Sequence, residues 1–199
     1  MTKVLLIETS PKGKDSISRK AGRLILEQLR KKGPIELTER DVASDPLPHL
    51  DSETLVAFFT AEPSLTDAQR KTLERSNRLV DELLKADIII ISTPMWNFGI
   101  PSALKAWIDH VVRAGKTFTF VNGQPQGLLK RKKVYVVVSS GSVFSSGVFQ
   151  GYDHAVPYIK SVFEFMGVLY VDVTRVEGTN SPEAAHIAFE RAQAKIETI

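Results

Sequence analysis

Apolar positions follow two periods along this chain, and the elements change where one period gives way to the other. Residues 3–9 (KVLLIET) are a short apolar run, residues 88–91 are four consecutive isoleucines, and residues 134–138 read Val-Tyr-Val-Val-Val. Unbroken runs of this kind predict strands buried on both faces. Residues 35–42 alternate Ile35 and Leu37 with polar neighbours, predicting a half-exposed edge strand, and residues 169–176 supply a last strand. Between these runs the period becomes helical: Ile17, Ala21, Leu24, Ile25 and Leu29 form one stripe, and Leu73, Val80 and Leu84 another. Leu104, Trp107, Ile108, Val111 and Val112 form a third, and Val156, Ile159, Phe163 and Met166 a fourth. Thr66 and Ser102 are the predicted N-caps of their helices, residues 55–59 a short helix, and Ser181-Pro182 the start of a terminal helix. Asn122-Gly123 predicts a small hairpin within residues 118–129.

The resulting order, β-α-β-α-α-β-α-β-α-β-α, predicts an α/β fold: a five-stranded parallel sheet in order 2-1-3-4-5 with helices on both faces. No repeat or composition shift divides it, so residues 1–199 are expected to form one domain. The loops after strands one, three and four then share a rim, where open α/β sheets bind ligands. In the first loop, hydroxyls at Ser10, Ser16 and Ser18 and the free N–H groups of a helix start suit a phosphate, with Asp15 expected to face solvent. The alternative is that Asp15 or Ser16 simply caps the helix. In the second, Pro94 ends the strand, and Met95, Trp96 and Phe98 surround the Asn97 amide where a loop is ordinarily small and polar, which suits a flat ring. In the third, Ser139, Ser140, Gly141 and Ser142 allow close backbone approach to a ring edge or form a plain serine-rich turn. Phosphate at one loop and a ring between the other two describe a mononucleotide with a large flat base, and FMN fits that description.

Composition narrows the chemistry. The 199 residues include no cysteine, which excludes a disulfide framework, cysteine-ligated zinc and a thiolate phosphatase, and suits the cytoplasm. Neither G-x-x-x-x-G-K-[ST] nor G-x-G-x-x-G occurs. The 26 Lys and Arg and 23 Asp and Glu are interspersed for a net charge of +3, and the block Lys130-Arg131-Lys132-Lys133 reads as a solvated turn, so no nucleic-acid partner is expected. The start of the chain has no signal-peptide pattern, and no apolar run nears the roughly 20 residues that span a bilayer, so no membrane association is expected. His49, His110, His154 and His186 lack metal-ligand spacing, and no metal is expected.

Pro94-Met95-Trp96-Asn97-Phe98, Leu104-Lys105, Arg113-Ala114-Gly115 followed by Thr117-Phe118, and Gly127-Leu128-Leu129 resemble signatures of the FMN-dependent NADH:quinone oxidoreductase and azoreductase family, over nearly the whole chain. The resemblance implies a flavodoxin-like three-layer sandwich and a homodimer with flavin sites at its interface. It implies that Ser10, Ser16, Ile17 and Ser18 hold the FMN phosphate, residues 94–98 the ribityl chain and ring, and residues 139–142 the pyrimidine edge. Residues 55–59, Phe118, Phe120, Phe163 and Phe165 become candidate substrate or partner contacts, Phe59, Phe118, Phe120 and Phe163 as the substrate pocket, with core packing the alternative for at least half of them. Two departures stand out: Trp96 replaces the family's usual tyrosine, and Ser140-Gly141-Ser142 lacks the common arginine and paired glycines. The implied activity is two-electron transfer from NADH or NADPH through FMN to quinones and azo compounds, with no catalytic side chain. The competing expectations are an FMN reductase and a non-catalytic flavodoxin-type carrier; the net positive charge weighs against the carrier.

Overall fold

The computed structural model describes residues 1–199. Seven strands and six α-helices alternate along the chain: β1 (Thr2–Glu8), α1 (Ile17–Lys32), β2 (Ile35–Asp41), α2 (Ser52–Phe59), α3 (Asp67–Lys85), β3 (Ile88–Pro94), α4 (Ser102–Val111), β4 (Phe118–Val121), β5 (Gln124–Gly127), β6 (Lys133–Ser140), α5 (Val156–Phe165), β7 (Tyr170–Glu177) and α6 (Pro182–Ile196). Five strands form a parallel sheet in the order β2-β1-β3-β6-β7, and β4 and β5 form a separate antiparallel hairpin. Counting only the sheet strands, this is the expected 2-1-3-4-5 order.

Strand alternation divides the core into two layers. Leu5, Ile7, Ile89, Ile91, Val134, Val136 and Val138 point into one cluster with α3, α4 and α5. Val4, Leu6, Ile90, Tyr135 and Val137 point the other way and meet Ala21, Ile25, Leu26 and Leu29 of α1 and Ala188, Ala192 and Ile196 of α6. Both faces of the central strands are covered, which is why those strands read as continuous apolar runs. No helix is long and apolar enough to cross a membrane.

The helix stripes are rotated slightly from the expected ones. On α3 the buried residues are Leu73, Ser76, Leu79, Val80 and Leu83, while Leu84 is half exposed. The stripe is centred on Ser76, a polar residue that is buried because its hydroxyl donates to the His110 carbonyl at 2.6 Å. Leu26 similarly takes a core place on α1, with Leu24 only partly buried. Thr66 forms a full capping box with Gln69, and Ser181 caps α6. Ser102 does not cap α4: Pro101 occupies that position, and its carbonyl accepts from the amides of Leu104 and Lys105. In the basic block, Lys132 is not simply solvated; its ammonium donates to the carbonyls of Leu84 and Ala86 at the C-terminal end of α3.

Candidate functional site

Register brings three loops to one rim. Glu8 lies opposite Ser92, and Pro94 opposite Ser139, so β1, β3 and β6 end at nearly the same height. The amide of Thr9 donates to the Ser92 carbonyl at 3.1 Å, and that of Met95 to the Ser139 carbonyl at 2.8 Å, fixing where each loop departs. Between the loops lies a cavity of about 290 Å³. Ser10, Ser16 and Ile17 line it from the first loop, Pro94, Met95 and Trp96 from the second, and Ser139, Ser140 and Gly141 from the third.

The first loop passes through a short 3-10 turn, Gly13–Asp15, before Ser16 caps α1. The Ser16 hydroxyl accepts from the Arg19 amide at 3.3 Å and lies 3.0 Å from the hydroxyl of Ser18, which is fully buried behind it. Ser16 is thus both a helix cap and part of the cavity wall. The Ser16 carbonyl takes the amide of Lys20, leaving the amides of Ile17 and Ser18 free at the positive end of the helix. Asp15 is exposed, as expected, but it lines the cavity together with Lys12.

The second loop closes on itself. Trp96 and Gly99 exchange two backbone hydrogen bonds, each 3.0 Å, around Asn97 and Phe98, whose φ angles are 46° and 71°. Two consecutive left-handed residues make a type I′ turn, for which Asn-Gly is the favoured pair; here a phenylalanine holds the second position. Neither Asn97 nor Phe98 lines the cavity wall itself. Their amides have no protein acceptor, and the Phe98 ring packs 5.2 Å from that of Tyr152 and 6.2 Å from that of Phe144. The third loop is held by its own hydroxyl, Ser140 Oγ donating to the Ser142 carbonyl at 2.8 Å, and Ser142 stands outside the cavity lining. Beyond the third loop, Gly147–Tyr152 form a 3-10 helix.

Three site features were not foreseen in the sequence. Lys12 adds a cation to the rim, and Thr179, beyond β7, lines the cavity while its amide and hydroxyl both donate to the Ser140 carbonyl, at 3.2 and 3.1 Å. Beneath the first loop lies a cluster of buried charge: Arg19 bonds Glu8, Asp41 and the Ser10 carbonyl. Burial alone would lower the pKa of the Arg19 guanidinium, but its bonds and attraction to Asp41 and Glu8 outweigh that and raise it. Burial likewise acts to raise the pKa of Asp41, and its bonds to Arg19 and Ser44 reverse the sign and hold the carboxyl below its usual range. A carboxylate ending an otherwise apolar strand was the available signal, because buried Glu is rarely unpaired.

The four candidate phenylalanines do not converge on the cavity. Phe163 is fully buried among the core residues of α5, and this corrects its assignment as a pocket wall: the inward stripe of the helix claims it. Phe59, at the end of α2, is 81% exposed, and Phe120, on the hairpin, 61%. Phe118 is half-buried, with its ring 4.6 Å from that of Phe165.

The donor set fits FMN. Free amides and hydroxyls at a helix start suit the phosphate, Met95 and Trp96 offer an apolar wall, and the amide of Gly141, which has no protein acceptor, suits the polar edge of a ring. Nothing would meet a Cβ at Gly141 within 4 Å, so space is open beside it.

A family model described as the flavodoxin-like fold matches residues 2–199. An FMN-dependent NADH:quinone oxidoreductase of Beijerinckia indica is 43% identical over 197 residues, covering 98% of each chain. One from Agrobacterium fabrum is 42% identical over 201 residues, covering 100% of this chain and 98% of that one. Among solved structures, an azoreductase from Bacillus anthracis superposes with a TM-score of 0.89 at 27% identity, each chain fully covered. An FMN-dependent NADH-azoreductase from the same species, in complex with FMN, gives 0.87 at 25%, covering 100% of this chain and 99% of that one.

Proposed function

We propose, for a chain that belongs to the flavodoxin-like family of FMN-dependent NADH:quinone oxidoreductases and azoreductases, that it is an enzyme of that kind, acting on quinones and azo compounds with NADH as donor. The observation that carries this is the cavity at the rim, which has phosphate-type donors at one end and, at the other, an apolar wall beside the unpaired Gly141 amide. FMN held there would supply the redox chemistry of two-electron transfer between the pyridine nucleotide and the acceptor.

The residues bind and orient. Ser10 and Ser16, with the amides of Ile17 and Ser18, receive the phosphate; each hydrogen bond to a charged group contributes about 1.5 to 3 kcal/mol against about 0.3 to 1 for the helix dipole, so donor number sets the affinity. Met95 and Trp96 would hold one side of the ring, the Asn97 and Phe98 amides would be available to its polar groups, and Ser139, Ser140, Gly141 and Ser142 would hold the pyrimidine edge. The N–H groups of the third loop would favour negative charge at that edge. No side-chain general acid is required. The exposed apolar residues of α2 and the hairpin, Phe59, Phe120 and Val121 among them, support a homodimer that completes the substrate side of the site. The absence of cysteine supports a cytoplasmic setting.

Purified protein should carry, or take up, FMN with a bound flavin spectrum and a raised melting temperature. It should oxidise NADH faster when a quinone is added. Failure to bind FMN removes the cofactor assignment, and NADH oxidation indifferent to quinone removes the acceptor.

A further inference from the structure

Arg19 is the most heavily bonded side chain near the cavity, yet it is not part of the lining. It stands in the first turn of α1, 91% buried, and reaches back to the end of β1. Its Nε and Nη2 both donate to the Ser10 carbonyl, at 3.0 and 2.5 Å. Its Nη1 donates to Glu8 at 2.9 Å and to Asp41 at 2.6 Å, and Nη2 also donates to Asp41 at 2.8 Å. Its own amide is the one that Ser16 caps. One side chain thus joins the two ends of the loop from below. Its charge is already met by two carboxylates, so it is not a free counter-ion for a ligand.

An exposed carbonyl in this loop would repel a phosphate; one held by a planar fork from beneath cannot turn toward it. A guanidinium can grip one carbonyl with two nitrogens while bridging two carboxylates, and an ammonium cannot reproduce that geometry. We propose that Arg19 is a positioning residue for the phosphate of the flavin: by holding the Ser10 carbonyl below the loop it keeps the loop's amides and hydroxyls on the cavity side, without pairing with the phosphate itself. The inference rests on the flavin assignment above and adds to it the residue that shapes the phosphate subsite.

The test compares binding of FMN with binding of riboflavin, which lacks the phosphate, to flavin-stripped wild-type protein, Arg19→Lys and Arg19→Met, followed by quenching of flavin fluorescence. Melting of each flavin-free protein is measured in parallel. Arg19→Lys preserves the charge beside Glu8 and keeps the test open should Arg19→Met fold poorly. Both variants should bind FMN roughly tenfold more weakly or worse, the scale on which a lost supporting shell loosens a site, with riboflavin affinity unchanged within about twofold. Parallel weakening of FMN and riboflavin would reduce Arg19 to a structural role and overturn the proposal, as would wild-type FMN affinity in Arg19→Lys. A wild-type protein that binds neither flavin, or FMN no better than riboflavin, would instead remove the flavin-phosphate assignment itself.

Discussion

At Gly22, in α1, a Cβ would lie 1.8 Å from Ser92 Oγ and 3.1 Å from its Cβ. The helix can cross the end of β3 this closely only without a side chain. Gly22→Ala should therefore destabilise by about 1 to 3 kcal/mol, the cost of overpacking, despite a helix-propensity gain near 1. Ser92 Oγ is buried without a hydrogen-bond partner, so Ser92→Ala should be neutral or slightly stabilising. The double variant should recover most of the loss, and urea unfolding of all four proteins measures the cycle. A double variant no more stable than Gly22→Ala would mean that the helix shifts for another reason. On the cavity wall, Trp96→Tyr should keep FMN affinity within a few fold, because the wall is apolar in either case, while shifting relative kcat/KM among quinone and azo acceptors. Loss of FMN would show that the indole itself holds the ring.

The β4–β5 hairpin seats on the end of α5 through two glycines. A Cβ at Gly127 would sit 2.1 Å from the Gly167 amide nitrogen, and Gly167 has a φ of +96°. Backbone cannot give way there as a flexible side chain can, so Gly127→Ala should unseat the hairpin. Proteolysis within residues 118–127 should accelerate well before global melting, and an unchanged digestion pattern would count against this. α2 is tied down differently: the Arg113 guanidinium lies 3.7 Å from the centre of the Phe58 ring and donates to Ser76 Oγ at 2.6 Å. Burial lowers its pKa, with no carboxylate in hydrogen-bonding contact. Element type was legible from the chain because period and turn residues agree locally, as at the Thr66 capping box and Asn122-Gly123. The exact face of α3 was not, because Ser76 becomes a core residue only once the His110 carbonyl and Arg113 surround its hydroxyl. The cap of α4 was missed for a similar reason: Ser102 is a good capping type, and only backbone geometry gives that place to Pro101.

Across the whole molecule, parallel alternation fixed which loops meet, so nine cavity residues could be placed from three separated segments. Thr179 could not, since its approach depends on how the chain turns after an edge strand. Long-range electrostatics were equally hidden. Burial lowers the pKa of His110, helped by Arg75 and Arg113 and opposed by its bond to the Pro48 carbonyl and by Asp109. The unfolded chain takes up this proton near pH 6.5 and the folded chain only at lower pH. The stability contributed by the neutral ring is thus complete above that value and lost as pH falls below it, until the folded group also protonates. Urea midpoints should be lower at pH 5.5 than at pH 7.5, and His110→Gln should reduce the difference; an equal difference in the variant would assign it elsewhere. The turn at Asn97 and Phe98 sets backbone strain against side-chain packing. With φ at 71°, position 98 should accept glycine better than alanine by about 1 kcal/mol, the reverse of the usual ranking. Selection for heat resistance among variants at this position should therefore favour glycine over alanine, and every such variant gives up the ring that packs against Phe144 and Tyr152, so thermostability screens of this scaffold need flavin retention as a second criterion.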